Sequence, residues 1–467
     1  MNYNRVDEQA IKNFQSAVGP DFVLLGTPDL EKYGHDETED LSFKPEVVVK
    51  PKTADEIANV LRYCHLHKIP VTASGARTGL SGGALPVKGG VNLSTERLNQ
   101  IIEIDERNLQ ATVQTGVINQ VFHDACKAKG LFYPPDPSSW GSSFLGGNLA
   151  LNAGGPKAVK YGVTNAYALS LEVVLATGEI INTGARVLKN STGYNLTQLM
   201  IGSEGTLGII TQATFKLLPY PKHNKLMLIP FASAEMACEA VSAIFQAGIT
   251  PSGMEFMERD AIDWTLKYVP DVQLPVGPEV QAHLLVEVDG NYPEILLNEC
   301  EAIAEIVDQF EAGEVLFAES AKEKEALWKL RRRVGEAVKS HSVYKEEDTV
   351  VPRAELAKLL KGVKLIGKKY GFQSVCYGHA GDGNLHVNIV KAGMSDHDWE
   401  HELSKGIREI FELVKSLGGT LSGEHGIGLV QKDYLDIIFT QKEMELQRSL
   451  KQVFDPHLIL NPGKVFG

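Results

Sequence analysis

The sequence predicts an α+β protein of two principal domains, an α/β first domain followed by a ferredoxin-like α+β cap. Three observations carry this. A strand–helix–strand unit opens at Lys44. Glycine-rich, strand-rich chain then runs from about residue 74 to 210. Beyond PYPKH (219–223), helices alternate with strands in the pattern of a ferredoxin-like unit. At 467 residues the chain has room for two or three domains with substantial cores.

Residues 1–42 read as a helical N-terminal arm. PEVVVKP is a short buried strand ending at Pro51. TADEIANVLRYCHLHK follows as an amphipathic helix, with Thr53 as N-cap and Glu56 completing a capping box. IPVTASG is the next strand. The first domain spans 43–222, and the two prolines of PYPKH mark its end. The cap, 223–417, reads as LMLIPF (strand), 233–247 (helix), SGMEFM (strand), a helix from Arg259, HLLVEVDG (strand), 292–310 (helix), EVLFAES (strand) and a helix over 321–340. A last strand, LHVNIV, and a helix over about 396–417 complete it. Residues 418–467 return to the first domain.

Composition excludes several classes. A formal net charge of −13 argues against nucleic acid, which demands a basic surface. The polar start MNYNRVDEQAIKNF has no apolar signal core, and no apolar run approaches the ~20 residues of a membrane span. Five scattered cysteines (Cys64, Cys126, Cys238, Cys300, Cys376) without a CxxC read as reduced core residues of a cytoplasmic protein. They also leave no Cys-rich pattern for an iron–sulfur cluster.

The segment SGARTGLSGGA (74–84) brings backbone N–H groups where a phosphate could approach them closely. WGSSFLGGNLALNAGGPKAVKYG (140–162) and IGSEGTLGIIT (201–211) repeat the theme. Three such segments fit a long ligand containing a diphosphate. Other phosphate and nucleophile motifs fail on spacing. Gly202, Gly205 and Gly208 are spaced GxxGxxG rather than GxGxxG, and no GxxxxGK[ST] occurs. GLSGG (79–83) matches GxSxG, but no helix follows it.

GHAGDGNLHVN (378–388) is the densest chemical signal. His379 and His386 bracket an Asp382–Gly383 turn, which folds the chain back so that both imidazoles face one point. Alternation along LHVNIV puts His386 and Asn388 on one strand face. Glu424, in SGEHGIG beside His425, is the third ligand candidate. Two His and one carboxylate suit a catalytic divalent metal, with zinc first and manganese or iron as alternatives.

Together, PEVVVKP, SGARTGLSGGA, GGNLALNAGG and IGSEGTLGIIT resemble the FAD-binding domain of the vanillyl-alcohol-oxidase flavoprotein superfamily. GHAGDGNLH and SGEHGIG narrow the resemblance to its FAD-linked D-2-hydroxyacid dehydrogenases: D-lactate dehydrogenase, the glycolate oxidase FAD subunit and D-2-hydroxyglutarate dehydrogenase. The resemblance runs from about Lys44 to the end of the chain. It implies that Ser74, Gly75, Ala76, Arg77, Thr78 and Gly79 bind the FAD pyrophosphate. Ser142, Ser143, Gly146, Gly147 and Asn148 would line the flavin, with Gly154, Tyr161, Gly162, Glu204, Gly205 and Ile210 as further contacts. The phosphate loop carries no histidine, so FAD is expected to be non-covalent.

The implied reaction oxidises a D-2-hydroxy acid to the 2-oxo acid, with hydride passing to flavin N5. His425 is the candidate base, since imidazole titrates near ~6.5. Asn388 would hydrogen-bond the substrate. The substrate carboxylate calls for a bidentate arginine. On the helix begun by Ser320 and Glu323, Arg332 is expected to point outward, while Arg331 and Arg333 flank the apolar face. Periodicity leaves those two open, and the resemblance selects Arg331. Lys345, in VYKEEDTVVP, resembles a second carboxylate-binding lysine of the D-2-hydroxyglutarate enzymes. Gly335 stands where that group has a hydroxyl residue, which favours a monocarboxylate such as D-lactate or glycolate. A D-2-hydroxyglutarate dehydrogenase, a flavoprotein without net oxidation like the alkyl-dihydroxyacetonephosphate synthases, and a non-catalytic flavin subunit of an electron-transfer complex are the alternatives. Electrons would leave to oxygen, a quinone, a separate iron–sulfur subunit or an electron-transfer flavoprotein. A homodimer is an ordinary assembly for such a chain.

Overall fold

The structure, a computed structural model, describes residues 2–39, 41–272, 274 and 276–466. It is α+β and divides into two compact units. The first comprises 1–154, 163–220 and 424–467, the second 155–162 and 221–423. The change of unit therefore falls at Tyr220, and the chain re-enters the first unit at Glu424. The short stretch 155–162 sits with the second unit although its neighbours on both sides belong to the first.

In the first unit a four-stranded sheet runs in the order Val23–Leu24, Val47–Val49, Val91–Ser94, Val71–Ser74. Its last three strands are parallel. A five-stranded antiparallel sheet follows the order Ile101–Asp105, Gln110–Gln114, Ile209–Lys216, Ala168–Val174, Ile180–Gly184. The helix Ala54–His67 starts at Thr53, whose side chain accepts from the Glu56 N–H. Glu56 does not close the box on Thr53; its carboxylate accepts from the Lys52 N–H one residue earlier. The N-terminal helix Glu8–Val18 is not a free arm. Ala10, Phe14 and Val18 recur at helical spacing and pack into one core with Ile57, Leu61, Val71 and Val91.

The second unit is built on a seven-stranded sheet whose pairings are all antiparallel. Its order is Leu316–Ala318, His223–Phe231, Ala282–Gly290, Gly253–Glu258, Gln373–His379, Asn384–Val390, Tyr344–Val350. One face packs against the helices Arg259–Tyr268, Ala321–Arg332 and Val334–His341, through Met257, Val375 and Tyr377 meeting Ile262, Val334 and Val338. The helix expected over 321–340 is thus two. It stops at Arg332, ahead of β-branched Val334 and flexible Gly335, which are poor continuers of a helix. The orientations expected of Arg332 and Arg333 are corrected, while Arg331 keeps its place on the buried side. Arg331 is buried at 3% exposure, Arg332 lies against the Trp328 ring, and Arg333 is the solvent-facing one, paired with Glu336. Helical phase cannot be carried past the last helical residue.

Candidate functional site

In the second unit, the strands Gln373–His379 and Asn384–Val390 are joined by a tight turn through Gly383. Gly383 has φ +80°, and a β-carbon there would stand 1.9 Å from the Val351 carbonyl oxygen. Only glycine fits that turn. The register sets Tyr377 opposite His386 and Val375 opposite Asn388. On the other side, Asp348 lies opposite His386 and Glu346 opposite Asn388. Facing residues share a side of the sheet. His379, His386, Asn388, Glu346 and Asp348 therefore occupy one face.

His379 and His386 meet edge to face, with ring centroids 5.4 Å apart, and each brings a ring nitrogen within 4.8 Å of the other's. Both side chains are about 4% exposed. His379 Nδ1 lies 2.8 and 2.9 Å from the two carboxylate oxygens of Glu255. The Nδ1–H therefore donates to Glu255, which leaves Nε2 as the lone pair: the arrangement by which a carboxylate orients a metal-ligating histidine. Glu255 also pairs with Arg331 Nη2 at 2.7 Å. Burial works to raise the Glu255 carboxyl, but Arg331, His379 and His386 overcome it and hold the group below its ordinary value. Arg331 Nε and Nη2 are both buried without a hydrogen bond, so the Glu255 contact is an ion pair made outside hydrogen-bond geometry. His386 Nδ1 stands 3.5 Å from Glu346 and 3.6 Å from Asp348.

Asp348 has a second task. Its carboxylate accepts from Asn384 Nδ2 at 2.7 Å, Ser422 Oγ at 2.7 Å and the Gly423 N–H at 2.9 Å. A β-carbon on Gly423 would come within 2.7 Å of Asn384 Nδ2, which accounts for glycine in SGE. These bonds hold Ser422 and Gly423 at the end of the second unit.

Lys345 is not brought to this face. It lies one residue out of phase with Glu346, is exposed, and stacks its ammonium over Trp399 at 5.7 Å. A one-residue step on a strand moves a side chain to the opposite face, so Lys345 is not brought beside His386 and Asn388. Glu255, Glu346 and Asp348 escaped sequence reading. Glu255 stands out as the acidic residue within the apolar run GMEFM, whereas Glu346 and Asp348 sit in the polar strand YKEEDTV and carry no such signal.

In the first unit, the glycine-rich segment leaves the carboxyl end of the parallel strand Val71–Ser74, where α/β sheets bind ligands. Ser74 Oγ is committed to Asn92 at 2.6 Å, so only its backbone is left for a ligand. Arg77 adopts φ +60° and lies over the Tyr33 ring. Among the described residues, the backbone N–H groups of Ala76 to Ser81 make no hydrogen bond. The Gly82 and Ala84 N–H groups go to Thr38 Oγ1 and Asp36. A run of donors without protein acceptors is a chemical match for a diphosphate.

Two further buried polar atoms, Ser143 Oγ and Asn148 Nδ2, have no protein partner. Asn148 sits in the helix Leu145–Leu151. Gly146 allows that helix to touch Thr115, where a β-carbon would come within 2.8 Å, and Gly147 faces open space. These features fit FAD. Ser142 is exposed and bonds Ser139 O, and Ile210 is in a central strand with its carbonyl taken by Thr115. Gly154 is the last residue of its stretch of the unit, and Gly205 lies beside Asn461 at φ +67°. Glu204 serves the fold: its carboxylate accepts from the Ile427 and Gly428 N–H groups at 2.9 and 2.8 Å. Tyr161 and Gly162 lie in the 155–162 stretch, where the Tyr161 hydroxyl donates to Asp289.

Comparison with known proteins identifies the family and the fold. The family described as "FAD linked oxidases, C-terminal domain" matches residues 220–465, and "FAD binding domain" matches 45–184. A D-lactate dehydrogenase of Anaerostipes hadrus is 40% identical over 99% of this chain and 98% of its own. The glycolate oxidase subunit GlcD of Bacillus subtilis is 40% identical over 93% and 92%. Among solved structures, an alkyldihydroxyacetonephosphate synthase has the same fold, with a TM-score of 0.76 at 18% identity over 99% of this chain and 87% of that one.

Proposed function

The chain belongs to the FAD-linked oxidase family, and from that premise we propose that it oxidises a D-2-hydroxy acid of the D-lactate or glycolate type to the 2-oxo acid. It is an FAD-linked oxidoreductase; bound FAD supplies the acceptor for the hydride equivalent. The observation that carries the substrate class is the buried Arg331–Glu255–His379 chain, on the face that also bears His386 and Asn388.

Each residue then has a task. Glu255 balances the charge of Arg331, and the Nε and Nη2 N–H groups, which make no hydrogen bond, are left for the substrate carboxylate. Asn388, fully buried, hydrogen-bonds the substrate beside it. His379, His386 and Glu424 are the residues that would hold a divalent cation, zinc first, which would polarise the substrate hydroxyl and lower its pKa. His425 takes the hydroxyl proton. The loop Ser74–Gly79 holds the FAD diphosphate without a covalent bond. Lys345 faces away, which supports a substrate with one carboxylate over D-2-hydroxyglutarate.

The test is direct. The yellow protein is mixed anaerobically with D-lactate, glycolate, D-2-hydroxyglutarate and D-malate, and the flavin band is followed. Bleaching by D-lactate or glycolate is expected. Bleaching by D-2-hydroxyglutarate alone would replace the monocarboxylate reading, and no bleaching with any acid would favour a flavin subunit without this catalysis.

A further inference from the structure

The glycine-rich loop is held from behind by residues that none of the glycine motifs contains. Lys464 Nζ donates to the Gly83 carbonyl at 2.9 Å and to Asn461 Oδ1 at 2.5 Å. Asn461 Nδ2 donates to the same Gly83 carbonyl at 3.1 Å and to the Glu204 carbonyl at 2.7 Å. The same stretch flanks the strand that launches the loop. Val71 N–H donates to Ile459 O at 2.8 Å, and Asn461 N–H to Val71 O at 2.7 Å. Residues 459–464 thus grip both the start of the loop and its far end.

The backbone around this grip is strained. Glu204, Asn461 and Val465 have φ of +52°, +45° and +57°, and Arg77, inside the loop, has +60°. For a β-branched residue such as Val465 this is an outlier. Conformations of this kind persist only where the surroundings over-determine them, and they gather at ligand clamps. Lys464 itself is 3% exposed. Burial pulls its ammonium down to about 7, against the carboxylates of Asp36 and Glu204, which favour the charged form.

We propose that Lys464, acting with Asn461, is a positioning residue for the FAD diphosphate. By fixing the Gly83 carbonyl, it holds the far end of the loop and keeps the Ala76–Ser81 N–H groups presented to the phosphates. The inference rests on the loop being the diphosphate site.

Apoprotein of the wild type and of Lys464→Met, Lys464→Gln and Gly79→Val is titrated with FAD and with riboflavin, which lacks the phosphates, and each is melted. Lys464→Met is expected to weaken FAD about tenfold, as for loss of one charge-assisted hydrogen bond at a preorganised site, with riboflavin affinity and apoprotein melting unchanged. Lys464→Gln, which retains a donor, is expected to fall between. Should Lys464→Met not fold, Lys464→Gln decides. Unchanged FAD affinity in the Lys464 variants overturns the inference. An equal loss for riboflavin and FAD with a lower melting temperature also overturns it, and makes Lys464 a scaffold residue. Gly79→Val separates the two assignments, because a β-carbon at Gly79 meets no protein atom within 4 Å. If Gly79→Val binds FAD normally, the loop assignment fails and the inference with it. If it abolishes FAD binding while the Lys464 variants bind normally, only the inference fails.

Discussion

Glu255 binds His379 Nδ1 through both of its carboxylate oxygens, at 2.8 and 2.9 Å, across 124 residues of sequence. This one contact sets the tautomer of His379 and balances Arg331 at the same time. Glu255→Gln keeps the shape but loses the charge. It is expected to lower divalent-metal affinity by about 10- to 100-fold, as for other partners of metal-bound histidines, read by metal content after dialysis against chelator. Metal retained as in the wild type would remove His379 from the ligand set.

Gly383→Ala probes the turn. The added carbon would stand 1.9 Å from Val351 O at a φ of +80°, so the two histidine strands cannot both keep their places. A loss of at least ~1 kcal/mol in unfolding free energy is expected, together with lower metal content. Thermal and denaturant unfolding measure the first, elemental analysis the second.

His425→Ala is expected to stay yellow and to retain its metal while turnover falls by about 10²- to 10⁴-fold, the range of a general base. Turnover close to wild type would assign the proton to another group.

Lys345→Ala is expected to change neither KM nor kcat for D-lactate or glycolate, because the side chain faces Trp399 on the far side of its strand. A raised KM would show that the strand is read from the wrong face.

Acid precipitation is expected to release all flavin into the supernatant, since the loop 74–84 offers no histidine for a covalent link. Yellow pellets would contradict this.

Much of this architecture could be read from the chain because its signals are local. The Asp382–Gly383 turn and the alternation of LHVNIV predict a hairpin that the structure forms, and the glycines of 74–84 mark a loop that leaves a parallel strand. Glu255 and Asp348 could not be read, because each acts on a strand brought beside it only by sheet order. Lys345 lies on the far face from His386, and period-2 parity gives no warning of a one-residue step. Arg333 turns to solvent because the helix breaks after Arg332, where helical phase ends. Local periodicity reports faces, and tertiary pairing decides which faces meet.

The grip of Asp348 on Ser422 and Gly423 has a consequence for anyone editing this protein. Adding or deleting a single residue within Tyr344–Val350 would put Glu347 or Thr349 in that place and release the anchorage of the SGEH stretch. The same edit in the exposed stretch just after Val390 leaves every one of those bonds standing.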